Sequence, residues 1–256
     1  MGWQYVNGIV TANHHIDEDV WRIEIHCPEI AGMCRPGHFV MLRSWQGEPF
    51  LPRPMAIFHY TNESFDVVYK VKGFGTKMLA AAAPGREITV TGPLGSAVEH
   101  SYLGKTIALV GRGVGITPLL PVAKAASEEG GSVISLLSAR TEKLLVGKED
   151  FELLGEVHTQ TDEQQHSRVT DKLERLLNMG RHLDAVYVSG SKRLLSHCEE
   201  LGARFGFQVY VFLEERMACG IGYCKGCAIE MRQGSRKYSL CCIQGPLYRA
   251  ESVVVI

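Results

Sequence analysis

Four cysteines, Cys219, Cys224, Cys227 and Cys242, stand in the order C-x4-C-x2-C, then fourteen residues, then C. If these thiolates converge, one short loop must wrap a single point and a distant residue must return to it. The spacing is the plant-type arrangement for a [2Fe–2S] cluster, with three ligands in one loop and the fourth from elsewhere. Three glycines, Gly220, Gly222 and Gly226, fall between the thiols. Glycine permits tight backbone turns and lets amide N–H groups approach cluster sulfurs. Zinc is the main competing reading, although zinc sites usually present two C-x2-C knuckles and only Cys224 and Cys227 form one. A disulfide framework is the third.

Cys241 and Cys242 are adjacent, and spacing alone does not choose between them. Neighbours on a strand point to opposite faces, so one of the two should reach the cluster. The turn Gly245-Pro246 follows closely and suits a ligand at a loop entrance, which favours Cys242. Cys241 then reads as a small buried hydrophobe.

The rest of the composition is that of an ordinary globular chain of 256 residues, 45% hydrophobic and 21% charged. A net charge of −1 gives no electrostatic case for nucleic acid or an anionic membrane surface. No apolar run is long enough to span a bilayer, and no basic-then-apolar signal opens the chain. Eight cysteines without such a signal imply a reducing, cytoplasmic compartment. Cys27, Cys34 and Cys198 read as packing residues, and the ten histidines show no metal-ligand spacing.

Two kinds of patterning precede the cysteine segment. Residues 1–100 read as an antiparallel β-barrel. Short runs such as Val20–Ile25, His38–Leu42 and Phe65–Val71 are separated by turns at Arg35-Pro36-Gly37, Leu51-Pro52-Arg53-Pro54, Ala83-Pro84-Gly85 and Gly92-Pro93-Leu94-Gly95. One short helix, 76–82, interrupts them. Residues 101–213 alternate strand and helix. Strands are predicted at 106–110, 132–137, 185–189 and 208–212, with helices at 118–129, 169–178 and 192–205. Runs apolar on both faces indicate a parallel sheet covered by helices. Residues 214–256 form the third, small [2Fe–2S] domain. The fold class is therefore multidomain, β followed by α/β.

Three segments are suited to nucleotide phosphates. Gly111, Gly113, Gly115 and Pro118 join the first parallel strand to its helix, where a dinucleotide pyrophosphate sits on free N–H groups. A tight strand-to-helix turn is the plainer reading of the same residues. Arg53 beside Pro54, with Met55 and Ala56, can present a fixed fork of donors to a diphosphate. The segment Val71 to Lys77 contributes Gly75, the Thr76 hydroxyl and Lys77 at the start of the short helix. The plainer reading of these last two is a pair of ordinary turns with solvated charges.

Barrel, nucleotide-binding domain and C-terminal cysteine loop together resemble the ferredoxin-reductase superfamily. Within it, Glu214-Glu215-Arg216-Met217-Ala218-Cys219-Gly220-Ile221-Gly222, with Cys224 and Cys227, resembles the electron-transfer subunit of the two-subunit (class 1B), NAD-linked dihydroorotate dehydrogenases. The resemblance extends to Cys242-Ile243-Gln244-Gly245-Pro246, Gly92-Pro93-Leu94-Gly95 and Pro36-Gly37-His38-Phe39-Val40, and spans nearly the full length.

That resemblance implies three cofactors: FAD, a [2Fe–2S] cluster and NAD(H). It implies that Arg53, Pro54, Met55 and Ala56 line the flavin, with Tyr69, Lys70 and Val71 along its ring and ribityl chain. Gly75, Thr76 and Lys77 would hold the FAD pyrophosphate, and Gly111, Gly113, Gly115 and Pro118 the nicotinamide nucleotide. Cys219, Cys224, Cys227 and Cys242 would ligate the cluster. The implied partner is an FMN-containing catalytic subunit of pyrimidine biosynthesis, in a hetero-oligomer such as a heterotetramer, with no nucleic acid and no membrane. Two positions depart from the superfamily pattern. Ala56 replaces a Ser or Thr whose hydroxyl approaches the flavin, and Ser189-Gly190-Ser191 stands for a Cys-Gly-Pro turn beside the nicotinamide. Arg140 reads either as a partner for an NADPH 2′-phosphate or as a solvated strand-end residue.

The expected activity is oxidoreductase electron transfer, with substrate chemistry on the partner. A hydride carries two electrons, which FAD accepts together and passes singly to a one-electron centre. The same cofactors serving a different oxidoreductase, or a zinc-containing nucleotide-binding regulator, are the alternatives.

Overall fold

The protein is described by a computed structural model that covers residues 2–164, 168–232 and 237–254. Strands are β1 (Gln4–Asp17), β2 (Val20–His26), β3 (Phe39–Arg43), β4 (Arg53–Ala56), β5 (His59–Tyr60), β6 (Ser64–Lys70) and β7 (Glu87–Leu94) in the amino-terminal part. Helices α1 (Pro28–Ala31) and α2 (Phe74–Ala80) interrupt them. All seven strands share one antiparallel sheet in the order β4-β3-β7-β1-β2-β6-β5.

This sheet is an antiparallel half-barrel: its ladder leaves β4 and β5 as edges. Period-two patterning drives its closure around a core. On β2, Val20, Ile23 and Ile25 are buried, while Glu24 is half-buried and His26 exposed. Val10, Ile23, Ile25, Phe65, Val67, Ile88 and Val90 meet in the interior with Trp45, Met55, Tyr69 and Leu79. Helix α2 begins at Phe74, earlier than the expected residue 76, because the Thr76 hydroxyl accepts the Gly73 N–H at 3.1 Å and caps the first turn.

The α/β part contains β8 (Thr106–Arg112), α3 (Leu119–Glu128), β9 (Ser132–Ala139), α4 (Lys148–Glu152), β10 (Glu156–Thr161), α5 (Val169–Asn178), β11 (Ala185–Ser189), α6 (Lys192–Phe205) and β12 (Gln208–Phe212). Strands β8 to β12 are parallel, in the order β10-β9-β8-β11-β12. Strand order reverses between β8 and β11, the switch point at which open α/β sheets bind ligands. Strand β10 and helix α4 are not anticipated in the sequence. The strand Glu-Val-His-Thr-Gln-Thr lies at a sheet edge, mostly half-buried, and so carries no apolar run.

The cysteine segment contributes β13 (Ala228–Glu230), β14 (Tyr238–Leu240), α7 (Cys241–Gln244) and β15 (Leu247–Arg249). It does not form a third compact unit. The chain groups into two: Met1–Ala97 with Glu214–Ala228 and Ser239–Pro246, and Val98–Leu213 with Ile229–Tyr238 and Leu247–Ile256. The cysteines thus belong with the half-barrel, while β15 joins the other sheet antiparallel to β12. The physical reason is size: a segment this short buries too little apolar surface to stand alone.

Candidate functional site

The loop from Glu214 to Cys227 has no regular secondary structure and takes its shape from glycines and amide-to-sulfur hydrogen bonds. Gly220 and Gly222 adopt φ of +70° and +78°. A β-carbon on Gly220 would stand 2.7 Å from Met41 Cγ, and one on Gly222 2.7 Å from Ile243 Cγ1. Both glycines therefore permit left-handed turns and close approach. Gly226 needs neither, since a β-carbon there meets only Cys224 Sγ at 3.6 Å.

The Sγ atoms of Cys227 and Cys242 lie 3.2 Å apart, both buried. The Gly222 N–H donates to Cys242 Sγ at 3.2 Å, the Cys224 N–H to Cys219 Sγ at 3.4 Å and the Gly226 N–H to Cys224 Sγ at 3.4 Å. These donors suit anionic sulfur. The Gly226 amide, followed by bonds from Cys219, lowers the exposed Cys224 thiol to about 7. Burial, followed by the Cys227 thiol, pushes Cys242 up to about 12. A bound cation would reverse that second shift.

The cysteines therefore fall into two pairs, Cys219 with Cys224 and Cys227 with Cys242. Among the described residues, no three His, Cys, Asp or Glu side chains converge on one ion position. A structural zinc ion needs four ligands around itself. Two thiol pairs fit a centre of two irons, each taking one pair. Cys241 and Cys242 sit at the start of α7 rather than on a strand, so the face-alternation argument does not apply to them. What separates them is sulfur contact: Cys242 Sγ accepts the Gly222 N–H at 3.2 Å and lies 3.2 Å from Cys227 Sγ, while burial pushes both thiols up to about 12.

Hydrogen bonds to residues 242–245 seat the fourth cysteine on the half-barrel. The Gly95 N–H donates to Cys242 O at 3.2 Å, the Ser96 N–H to Gly245 O at 2.6 Å and the Ser96 hydroxyl to Ile243 O at 2.8 Å. Gly95 and Ser96, just after β7, thus support the fourth cysteine, while residues 92–94, expected as a turn, continue that strand. Sequence reading singled out that turn but not its partner, because nothing local links residues about 150 positions apart.

The second constellation of this unit surrounds Arg53. Strand β4 pairs with β3 through Leu42↔Arg53, Met41↔Pro54, Val40↔Met55 and Phe39↔Ala56. Arg53 Nη1 donates to Leu51 O at 2.6 Å and approaches Pro52 O at 3.4 Å. Its guanidinium carbon lies 5.3 Å from the Trp45 ring centroid. A β-carbon on Gly75 would come within 2.7 Å of both Arg53 Nε and Trp45 Cη2, so the backbone at Gly75 passes close against this stack. Sequence reading missed Trp45, whose only signal is an aromatic residue in a Gly/Pro-rich loop.

Along β6, Tyr69 turns into the core, its hydroxyl 3.5 Å from Asn13 Oδ1, and burial raises its pKa. Lys70 pairs with Asp19 at 3.1 Å, and Val71 packs against the core. The Thr76 hydroxyl is committed to its own helix, accepting the Lys72 and Gly73 N–H groups and donating to Gly73 O. Lys77 lies in the same short helix, and Ala56 ends β4.

In the α/β unit, the glycine loop folds into a 3-10 turn, Gly113–Ile116, and α3 starts after Pro118. Gly113 has φ +56°. A β-carbon on Gly115 would stand 2.9 Å from Ser189 O, so the loop closes directly onto the end of β11. Gly111 is equally confined, by Leu119 at 2.8 Å. A cavity of about 820 Å³ opens at the same strand ends, with Arg112, Ser138, Asp162, Arg168, Arg193 and His197 in its wall. Arg112 and Asp162 form a two-bond ion pair there, at 2.8 and 3.0 Å. Arg140 is exposed beyond β9 and does not line this cavity.

Residues 214–254 match the family model for the iron–sulfur cluster binding domain of dihydroorotate dehydrogenase B. The electron transfer subunit of dihydroorotate dehydrogenase B (NAD(+)) from Enterococcus faecalis (strain ATCC 47077 / OG1RF) is 31% identical over 96% of this chain and 97% of its own. The chain belongs to the dihydroorotate dehydrogenase B electron transfer subunits. The corresponding subunit of Caldanaerobacter subterraneus subsp. tengcongensis is 37% identical over 86% of this chain and 87% of its own. A solved structure of the NADH-dependent reduced ferredoxin-NADP oxidoreductase, studied for flavin-based electron bifurcation, superposes with a TM-score of 0.85. It is 31% identical over 96% of this chain and 89% of that one.

As an electron transfer subunit of this family, the protein is an oxidoreductase with a ferredoxin-reductase-like fold and an iron–sulfur binding segment. Its cofactors are those of the family: an iron–sulfur cluster, FAD and a nicotinamide nucleotide. Such a subunit works with a catalytic partner. Among the described residues no helix is long and apolar enough to cross a membrane.

Proposed function

We propose that this chain carries electrons from NADH, through FAD and a [2Fe–2S] cluster, to an FMN-containing dihydroorotate dehydrogenase subunit in a hetero-oligomer such as a heterotetramer. The observation that carries this reading is the division of four thiols into two amide-bonded pairs on the half-barrel that also bears Arg53. Cys219 and Cys224 hold one iron, and Cys227 and Cys242 the other. Segments 1–100, 101–213 and 214–256 serve FAD, the nicotinamide nucleotide and the cluster respectively.

Arg53, with Pro54, Met55 and Ala56 beside it, faces the flavin nucleotide, and Arg53 supplies a fixed cationic fork for its diphosphate. Gly75, Thr76 and Lys77 assist with backbone amides and charge. Because the Thr76 hydroxyl caps α2, its contribution is through the backbone. Tyr69 supports the flavin from the core side of β6, with Lys70 and Val71 following it. Gly111, Gly113, Gly115 and Pro118 shape the nicotinamide nucleotide's seat at the end of β8. When bound, the flavin supplies conversion between hydride and single-electron transfer. The protein's part is to bind, to shield and to set potential through amide-to-sulfur bonds. No disulfide joins any of the eight cysteines, in keeping with a reducing, cytoplasmic setting.

A second reading keeps the cofactors and changes the partner. The NADH-dependent reduced ferredoxin-NADP oxidoreductase is as similar in sequence as the Enterococcus subunit, at 31% identity each. Anaerobic purification, metal and flavin analysis, and NADH titration test the relay; mixing with an FMN-containing dihydroorotate dehydrogenase subunit tests the partner. A bleached flavin with no electron passage to that subunit favours the second reading. A colourless protein holding zinc overturns both.

A further inference from the structure

Trp45 has no role in the reading above, yet it is the group that fixes Arg53. The indole is 7% exposed and sits in the loop between β3 and β4. Its Nε1–H donates to Pro49 O at 2.7 Å, which sets the plane of the ring. Phe74, the first residue of α2, meets that ring edge-on at 6.2 Å between centroids and 90° between planes. Over the indole lies the Arg53 guanidinium, 5.3 Å from the ring centroid. Gly75, having no β-carbon, lets the helix start come down on both. Arg53 Nη1 is tied to Leu51 O.

An arginine on an edge strand would ordinarily sample many rotamers, and ordering it on binding an anion would cost affinity. Here three elements hold it in one place before any ligand arrives: the ring of Trp45, the carbonyl of Leu51 and the backbone at Gly75. The guanidinium has five N–H donors, and the carbonyl bonds involve Nη1 alone, so the fork keeps donors for an oxyanion.

We infer that Trp45 is a positioning residue for binding of the flavin nucleotide's diphosphate, acting through Arg53 by stacking under its guanidinium. The inference rests on the assignment of Arg53 to FAD. It adds that the clamp is preformed, that an aromatic face is what preforms it, and that Trp45 contributes to affinity only while Arg53 is present. Cation–π stacking on indole is stronger than on a phenyl ring and absent for an aliphatic side chain.

The test uses the full chain, purified anaerobically, with FAD affinity measured by flavin fluorescence and cluster content by visible absorption. Trp45→Leu raises the Kd for FAD about tenfold, and Trp45→Phe restores most of that loss. In an Arg53→Gln background, Trp45→Leu changes FAD affinity less than about twofold, because the group it positions is gone. Cluster absorption stays at the wild-type level in every variant, which shows that the half-barrel is folded. Equal losses in Trp45→Leu and Trp45→Phe, or the same tenfold loss with and without Arg53, would overturn the inference. Unchanged FAD affinity in Arg53→Gln alone would instead refute the assignment of Arg53, and the inference would fall with it.

Discussion

Cys227 Sγ and Cys242 Sγ lie 3.2 Å apart across a gap of fourteen residues, and the Gly222 N–H points at the second of them. The distant thiol is therefore brought to the loop by α7, whose position is fixed in turn by Gly95 and Ser96 of the half-barrel. A metal centre here would be welded to the sheet that carries Arg53, not hung on a separate module.

The two adjacent cysteines are expected to behave differently. Cys242→Ser removes a thiol from the Cys227 pair, so iron content and visible absorption of anaerobically purified protein should fall to less than half. Cys241→Ser leaves both pairs intact and should keep wild-type iron, with a stability loss of about 1 kcal/mol from placing a hydroxyl at a buried site. Loss of iron in the Cys241 variant alone would reverse the assignment.

Gly220→Ala tests the seating of the loop. The substitution forces a β-carbon onto a residue at φ +70° and to 2.7 Å from the buried Met41 side chain. Strain and overpacking together should cost about 2 kcal/mol in denaturant unfolding. Adding Met41→Ala should recover part of that loss, which separates crowding from backbone strain.

Gly115→Ala tests the nucleotide loop. Here the obstacle is backbone, Ser189 O at 2.9 Å, so no side-chain rotation relieves it. The loop should be displaced from the end of β11, with kcat/KM for NADH falling about tenfold or more as measured by anaerobic flavin bleaching. Flavin and iron contents should be unaffected, because both assigned sites lie in the other unit.

His38 predicts a pH dependence of stability. Burial, followed by the nearby Arg35 charge, lowers its pKa from 6.5 to about 4, while its Nδ1 accepts the Arg35 N–H at 3.1 Å. Between those values the unfolded chain binds the proton and the folded chain does not. Its contribution to stability is therefore complete above about pH 6.5 and is lost as pH falls toward 4. Replacing His38 with Asn should flatten the slope of unfolding free energy in that window and leave it unchanged above pH 7.

Much of this was legible in the sequence because it is periodic or local. Apolar runs placed β8, β9, β11 and β12, alternation placed β2, β3, β6 and part of β1, and cysteine spacing marked the loop; β5 carried no signal, and Arg53 and Pro54 of β4 and residues 92–94 of β7 read as turns. Residues with no local signature were not legible. Strand β10 is polar and lies at an edge; Trp45 matters through a contact with Arg53; Ser96 matters through residues near the far end of the chain. Thr76 looked available to a phosphate until its own helix was seen to use the hydroxyl.

By itself, the sequence determined most of the parallel-sheet elements, the resemblance to the family and the candidate thiols, since hydrophobic period and ligand spacing are properties of neighbouring residues. Only the tertiary structure decided that the cysteine segment divides between two units, that the thiols form two pairs, and that Arg53 lies on an indole. Those facts depend on which distant surfaces meet. Burial and close packing across the fold set them, and no local pattern encodes them.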